Sequence, residues 1–227
     1  EQSDETLSVD VHIKNLAGHK FPTGVGFRRA FVYLAVHDEN DNVIWASGRT
    51  DKAGVITDQH GNALPAEMTT DWNELQPDYS PDNPVTRQDQ VQIYESRHED
   101  NTGKLSTSFL SLFQVRKDNR ILPAGWSRNG PYAETTQPHA LGGEPVANPD
   151  AGFDRVRYEI PLADIPNANS VQARVYYQSL PPYYLRDRFE IDGPATDRLY
   201  YMVSYLNLDN SPMQDWKFEL ASVTARL

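Results

Sequence analysis

A chain of 227 residues with a formal net charge of -11, 38% hydrophobic and 23% charged, has the apolar content for one sizeable core and too much of it for a disordered chain. The acidic balance repels phosphate backbones, so nucleic acid is not an expected partner. With no cysteine at all, disulfides, thiol catalysis, Cys-ligated zinc and covalent c-type haem attachment are each excluded for this chain, and no apolar run approaches the roughly 18 residues of a membrane-crossing helix.

The N-terminus begins at Glu1 without a charged-then-apolar leader; the expectation is a processed or truncated start, consistent with an exported protein of the periplasm or cell exterior. Leu7, Val9, Val11 and Ile13 alternate with Ser8, Asp10, His12 and Lys14, the period of a half-buried strand with His12 on its polar face. A loop dense in chemistry follows, Asn15-Leu16-Ala17-Gly18-His19-Lys20-Phe21-Pro22-Thr23-Gly24, with Arg28 and Arg29 just beyond it. Arg29 to His37 is apolar on both parities, which predicts a central strand covered on both faces.

Asp38 to Asn42 supplies turn residues and Val43 to Ser47 returns, so residues 30–47 read as a β-hairpin. The oxygen-rich turn, with Asp38, Asn40 and Asp41, is a candidate Ca²⁺ site, although it lacks the glycine and terminal glutamate of an EF-hand loop. Residues 54–88 form a long polar excursion with Pro65, Pro77, Pro81 and Pro84 and no sustained period; His60 beside Gly61-Asn62 reads as a turn.

Gln90 to Glu95 is another alternating strand. In the turn after it His98 stands next to Glu99 and Asp100 and is a metal-ligand candidate, but three consecutive residues do not converge on one point unaided. Phe109 to Val115 is a continuous apolar run and predicts a buried strand. A second excursion, about 123–152, carries Trp126 and His139. Phe153 to Leu162 and Val171 to Gln178 read as strands, Pro181 to Phe189 as a short helix started by proline, Leu199 to Leu206 as a second helix, and Trp216 to Val223 as a last strand. Tyr183 and Tyr184, at a turn beside two prolines, and Phe21 are the candidate interface residues.

The pattern predicts one domain over 1–227, a mainly antiparallel β-sandwich, immunoglobulin-like or jelly-roll-like, with long loops and one or two short helices. Catalytic templates are missing: there is no Gly-x-Ser-x-Gly elbow, His-Glu-x-x-His pair, P-loop or dinucleotide fingerprint. Two other classes stay open. Six histidines and many carboxylates can build a mononuclear copper or iron site on a β-sandwich, and Trp72 or Trp126 can stack a sugar in a carbohydrate-binding or adhesion module.

Gly18-His19-Lys20-Phe21-Pro22-Thr23-Gly24 with Arg28-Arg29 resembles the β-rich domain that follows the haem-binding part in many bacterial multihaem c-type cytochromes. Gln90 to Glu95, Lys117-Asp118-Asn119-Arg120-Ile121-Leu122-Pro123-Ala124-Gly125 and Tyr176-Tyr177-Gln178-Ser179-Leu180-Pro181-Pro182 resemble that domain's later motifs in the same order, so the resemblance runs from about Leu7 to Trp216. The departure is the missing Cys-x-x-Cys-His haem sites. The resemblance implies a cytochrome-associated β-sandwich without covalent haem of its own, a scaffold or docking unit for a multihaem cytochrome or another redox protein. It also implies two readings of His19, as an axial ligand to a partner's haem or as a hydrogen-bonded loop corner.

Overall fold

The computed structural model describes residues 5–227; Glu1, on which the expectation of processing rests, lies outside them. Twelve strands follow one another: β1 Thr6–Lys14, β2 Arg29–Asp38, β3 Val43–Ser47, β4 Arg49–Thr50, β5 Ile56–Thr57, β6 Ile93–Tyr94, β7 Ser96–Glu99, β8 Leu105–Ser106, β9 Gln114–Asp118, β10 Phe153–Pro161, β11 Ala168–Gln178 and β12 Phe218–Arg226. Three helices punctuate them, α1 Ala133–Thr136, α2 Pro182–Phe189 and α3 Pro194–Tyr205. The architecture is mainly β, and every pair of named strands that hydrogen-bonds is antiparallel.

Two sheets face each other across the main core. One is the β1–β10 ribbon; the other runs β12-β11-β2-β3, with β6 also on β2. Leu7, Val11 and Ile13 of β1 and Val156, Tyr158 and Ile160 of β10 meet Val32, Leu34 and Val36 of β2, Trp45 of β3 and Val171 of β11. Burying each such side chain contributes about 1.5–3 kcal/mol, which makes this layer the main source of stability. The opposite side of β1 is polar, and there Asp10 takes both prongs of Arg157 at 2.8 Å across the ribbon.

The two-sided apolar character of β2 has a direct cause. Its even residues enter the sandwich, while Phe31 packs behind the sheet with Ile56, Leu64, Val91, Ile93 and Tyr176. The long excursion after β4 therefore folds back as a cover, with β5 and a short 3-10 turn at Pro65–Glu67 supplying its apolar side.

Five-residue turns recur, each built on one aspartate. Asp38 Oδ1 accepts from the amides of Asn40 and Asn42, Asp51 Oδ1 from Ala53 and Val55, Asp58 Oδ1 from His60 and Asn62, and Asp100 Oδ1 from Thr102 and Lys104, all between 2.8 and 3.1 Å. The fourth residue of each turn has a positive φ: Asp41 at 65°, Gly54 at 77°, Gly61 at 82° and Gly103 at 84°. The aspartate replaces the amide partners that the reversal removes.

One predicted strand is absent. Phe109 to Val115 is not a buried strand: Phe109, Leu110, Leu112 and Phe113 are exposed, and pairing begins only at Gln114. Ser108 and Ser111 explain this. The Ser111 amide donates to Ser108 O at 3.0 Å and the Ser106 and Ser111 hydroxyls meet at 3.0 Å, which closes a turn inside the apolar run. The last helix begins earlier than its apolar spacing suggested, at Pro194, and the last strand is shifted to Phe218–Arg226.

Candidate functional site

The loop after β1 is tied down by one buried side chain. Asn15 Nδ2 donates to His19 O at 2.8 Å and to Ile121 O at 2.9 Å, while its Oδ1 accepts from the Ala17 amide at 2.9 Å. Farther on, Phe21 and Ile121 exchange both backbone hydrogen bonds, at 2.9 and 2.8 Å. Lys20 crosses the same gap and binds Asp118 at 2.8 Å. The loop and the segment after β9 thus form one unit although about a hundred residues separate them in the chain.

Asp118 is the hub of that unit. It takes Arg120 Nε and Nη2 at 2.8 Å each, and its backbone exchanges two bonds with His139 at 2.9 Å. Burial alone would raise its pKa, but the Arg120 hydrogen bonds and the Lys20 charge win and hold the carboxyl below the usual carboxylate range. Burial draws the Lys20 ammonium down, and Asp118 offsets part of that.

Between the two segments lies an open groove of about 1000 Å³. Leu16 to Lys20 make one wall; Leu122 to Ser127 and the stretch around Tyr132 and Thr136 make the other. Trp126 is fixed in the second wall by its indole N–H, which donates to Thr136 Oγ1 at 2.9 Å. His19 stands exposed on the rim. Its Nδ1 lies 3.4 Å from Lys20 O, and Nε2 has no hydrogen-bond partner among the described residues. The arrangement presents an imidazole nitrogen, an indole and a phenol ring to whatever enters the groove.

The other candidates disperse. Asp38, Asn40 and Asp41 sit in the β2–β3 turn, where both Asp38 oxygens are already taken by the amides of Asn40 and Asn42 and by the Asn42 side chain. His98 lies in β7, in another sheet, where burial pushes its pKa down. Among the described residues no three His, Asp or Glu side chains come together as a metal site. Phe21 is half-buried against the main core. The interface expectation needs correction at Tyr183. It is 1% exposed and lies under the Arg97 guanidinium at 3.8 Å from the ring centroid, because α2 packs inward at its first turn. Tyr184 remains half-exposed and stacks on Phe27 at 3.8 Å. Trp72 is also engaged, with Arg116 over its ring at 4.9 Å.

Sequence reasoning missed the buried charges. Lys117, fully enclosed, donates to Gln76 O, Ile93 O and Glu95 Oε1 at 2.9, 3.1 and 3.3 Å. Arg29 grips Glu67 and donates from Nε to Gln178 Oε1 at 2.7 Å. The signal was present, since Arg29, Glu95, Lys117 and Gln178 each belong to one of the ordered sequence motifs. Those motifs fold into two places, the groove and this buried network.

No family model and no curated protein matches the chain. Among solved structures it is similar to a penta-heme cytochrome c552 from Thermochromatium tepidum, with 15% identity, a TM-score of 0.47 and coverage of 100% of this chain. The chain spans 37% of the length of that one. Having no cysteine, this chain holds no Cys-x-x-Cys-His site and no covalent haem.

Proposed function

We propose that the chain is a docking or scaffold β-sandwich of a multihaem electron-transfer assembly, exported to the periplasm or cell exterior, and that its groove receives a c-type cytochrome partner. The observation that carries this reading is convergence. Two stretches that resemble the cytochrome-associated domain, Gly18–Gly24 and Lys117–Gly125, pair through Phe21 and Ile121, and Gly18 to Lys20 of the first face Asp118, Arg120 and Leu122 to Gly125 of the second across a single groove with the His19 ring at its mouth.

A haem would belong to the partner, and its iron would supply the electron-transfer centre. His19 fits the role of an outward ligand, since its Nε2 has no partner among the described residues and its loop is anchored at Asn15 and Lys20. Leu16, Trp126 and Tyr132 offer apolar and aromatic surface beside it, the kind that excludes water at a docking site.

The test mixes the purified chain with a candidate multihaem c-type cytochrome and follows both complex formation and the low-spin haem spectrum. The expected result is a complex that Trp126→Ala and Tyr132→Ala weaken, with a spectral change that His19→Ala removes. A complex whose spectrum is the same with His19→Ala leaves docking standing and rejects ligation. No complex with any such cytochrome rejects the reading as a whole.

A further inference from the structure

The face of the large sheet turned away from the sandwich interior has its own opening. Its Phe31 end is covered by the second core cluster, but beyond it Tyr33 and His37 of β2 and Gln172, Arg174 and Tyr176 of β11 border a groove of about 360 Å³. Strand register sets this up, because Arg174 pairs with Tyr33 and Tyr176 with Phe31, so these side chains share one face. Arg49 and Thr50 of β4, and Lys217 just before β12, close the rim.

Three cations therefore meet on a protein of net charge -11. Their partners do not use them up. Arg49 Nη1 donates to neutral acceptors, Ala46 O at 3.0 Å and Gln88 Oε1 at 2.6 Å, and no carboxylate pairs with it among the described residues. Arg174 meets Glu219 at 3.2 Å and Lys217 meets Asp215 at 3.2 Å; both are partly exposed pairs, which solvent screens and a ligand can share. The floor is aromatic. Tyr33 and Tyr176 meet edge to face at 6.2 Å, Arg174 Nη1 donates to the Tyr176 hydroxyl at 3.1 Å, and the Lys217 ammonium lies 5.2 Å from the Tyr176 ring. The Tyr33 hydroxyl has no hydrogen-bond partner among the described residues and feels both the Arg49 and the Arg174 charge.

We propose that this groove binds a small organic oxyanion, a carboxylate or phosphate carried on a ring. Arg49 and Arg174 take the charged head, whose planar or tetrahedral oxygens match a guanidinium fork. The Tyr33 hydroxyl donates to it from below, and the Tyr33 and Tyr176 rings with Gln172 support the body. The site is separate from the His19 groove and does not depend on the cytochrome reading.

The experiment titrates the full chain with inorganic phosphate and with phenyl phosphate at constant ionic strength, sodium chloride serving as the control, and reads heat or tyrosine fluorescence. Saturable binding is expected, with phenyl phosphate at least tenfold tighter than phosphate. Arg49→Gln and Tyr33→Phe, both at partly exposed positions, should each weaken it tenfold or more while circular dichroism stays that of the parent. Arg174→Gln should do the same; if it fails to fold, the other two variants decide. A response no larger than that of chloride, or affinities that Arg49→Gln and Tyr33→Phe leave unchanged, overturns the site. Equal affinity for the two phosphates overturns the organic body.

Discussion

Arg29 and Glu67 form a two-pronged ion pair sealed from solvent, with Nη1 to Oε1 at 2.6 Å and Nη2 to Oε2 at 2.7 Å. Glu67 Oε2 also accepts from the Ile56 amide at 3.0 Å, so one carboxylate joins β2 to the covering excursion. Glu67→Gln keeps the shape and removes the charge, leaving the Arg29 cation buried without its direct ion-pair partner and with only the weaker Glu95 interaction, which Glu95 shares with Lys117 and Arg97. A loss of about 3–5 kcal/mol is expected. The double change Arg29→Met with Glu67→Met should cost much less than the sum of the single changes, because neither member of the pair is then left buried without the other. Urea unfolding measures both; a Glu67→Gln loss under about 1 kcal/mol would contradict the account.

That pair also shows what the sequence could and could not announce. Arg29 opens a run apolar on both parities, so a doubly covered β2 was legible, as were the alternating β1 and β11. Glu67 lies in a stretch without period, and nothing local says that its carboxylate is enclosed. The groove divides in the same way. His19 stood out by the company it keeps in its loop, whereas Asp118 and Trp126 are brought to it by long-range ties, the Phe21–Ile121 backbone pair, the Lys20–Asp118 ion pair and the Asn15 amide on Ile121 O. Phe109 to Val115 misled because apolar content alone does not register a serine-closed turn.

Acid should destabilise the fold through Glu95 and Asp118. At Glu95 burial pushes the pKa up, yet Lys117, Arg97 and Arg29 pull harder, and the net shift is downward; Asp118 moves the same way. A carboxyl with a folded pKa below its unfolded one adds stability above the unfolded value, and that stability is lost as pH falls through the folded one. The urea midpoint should therefore hold from neutral pH to about 5 and fall once pH drops below 4.5 and then 3.8, the ordinary values of the two groups. Glu95→Gln should lower stability at neutral pH and flatten the acid slope. An unchanged slope would remove Glu95 from the explanation.

Asp154 works in the opposite sense. Burial raises its pKa and the nearby Asp78 and Asp150 add to this, against the Tyr94 hydroxyl and the Arg155 amide, which donate to it at 2.6 and 2.8 Å. Its folded pKa lies above the unfolded 3.8, so the stability it contributes is full below that value and is lost as pH rises through the folded one. Asp154→Asn keeps an acceptor for Tyr94 and carries no charge. The variant should melt higher than the parent at pH 7 and no higher at pH 3. Equal melting points at pH 7 would show that the charge costs nothing there.

Among the aspartate-built turns, the β2–β3 turn differs at its fourth position, where Asp41 holds a φ of 65° and the others have glycine. The Asp41 side chain reaches only the His37 ring at 3.5 Å and is otherwise in solvent. Asp41→Gly should relieve the left-handed backbone and stabilise by about 0.5–1 kcal/mol. The matching Gly61→Ala change, at a φ of 82° with open space around the new methyl, should destabilise by a similar amount. Thermal melts of the two variants that move in the same direction would refute the turn argument.

Asn15 is the residue on which the His19 loop depends. It is buried and its amide makes three hydrogen bonds, to His19 O, Ile121 O and the Ala17 N–H. Asn15→Ala removes all three and leaves the His19 carbonyl without its donor, for an expected cost of about 2–3 kcal/mol. The loss should be local first. Amide exchange at Ala17 and Phe21 should quicken well before that of Val32 or Val156, because the latter sit in the main core while the loop keeps a few peripheral ties, from Lys20 to Asp118 and Gln137 O, between Phe21 and Ile121, and from the residue-15 amide to Gly152 O. In the docking assay the same variant should weaken partner binding although no docking side chain has been touched, since a mobile loop must be ordered on association. Exchange that quickens uniformly would mean that Asn15 serves global stability and not the placement of His19.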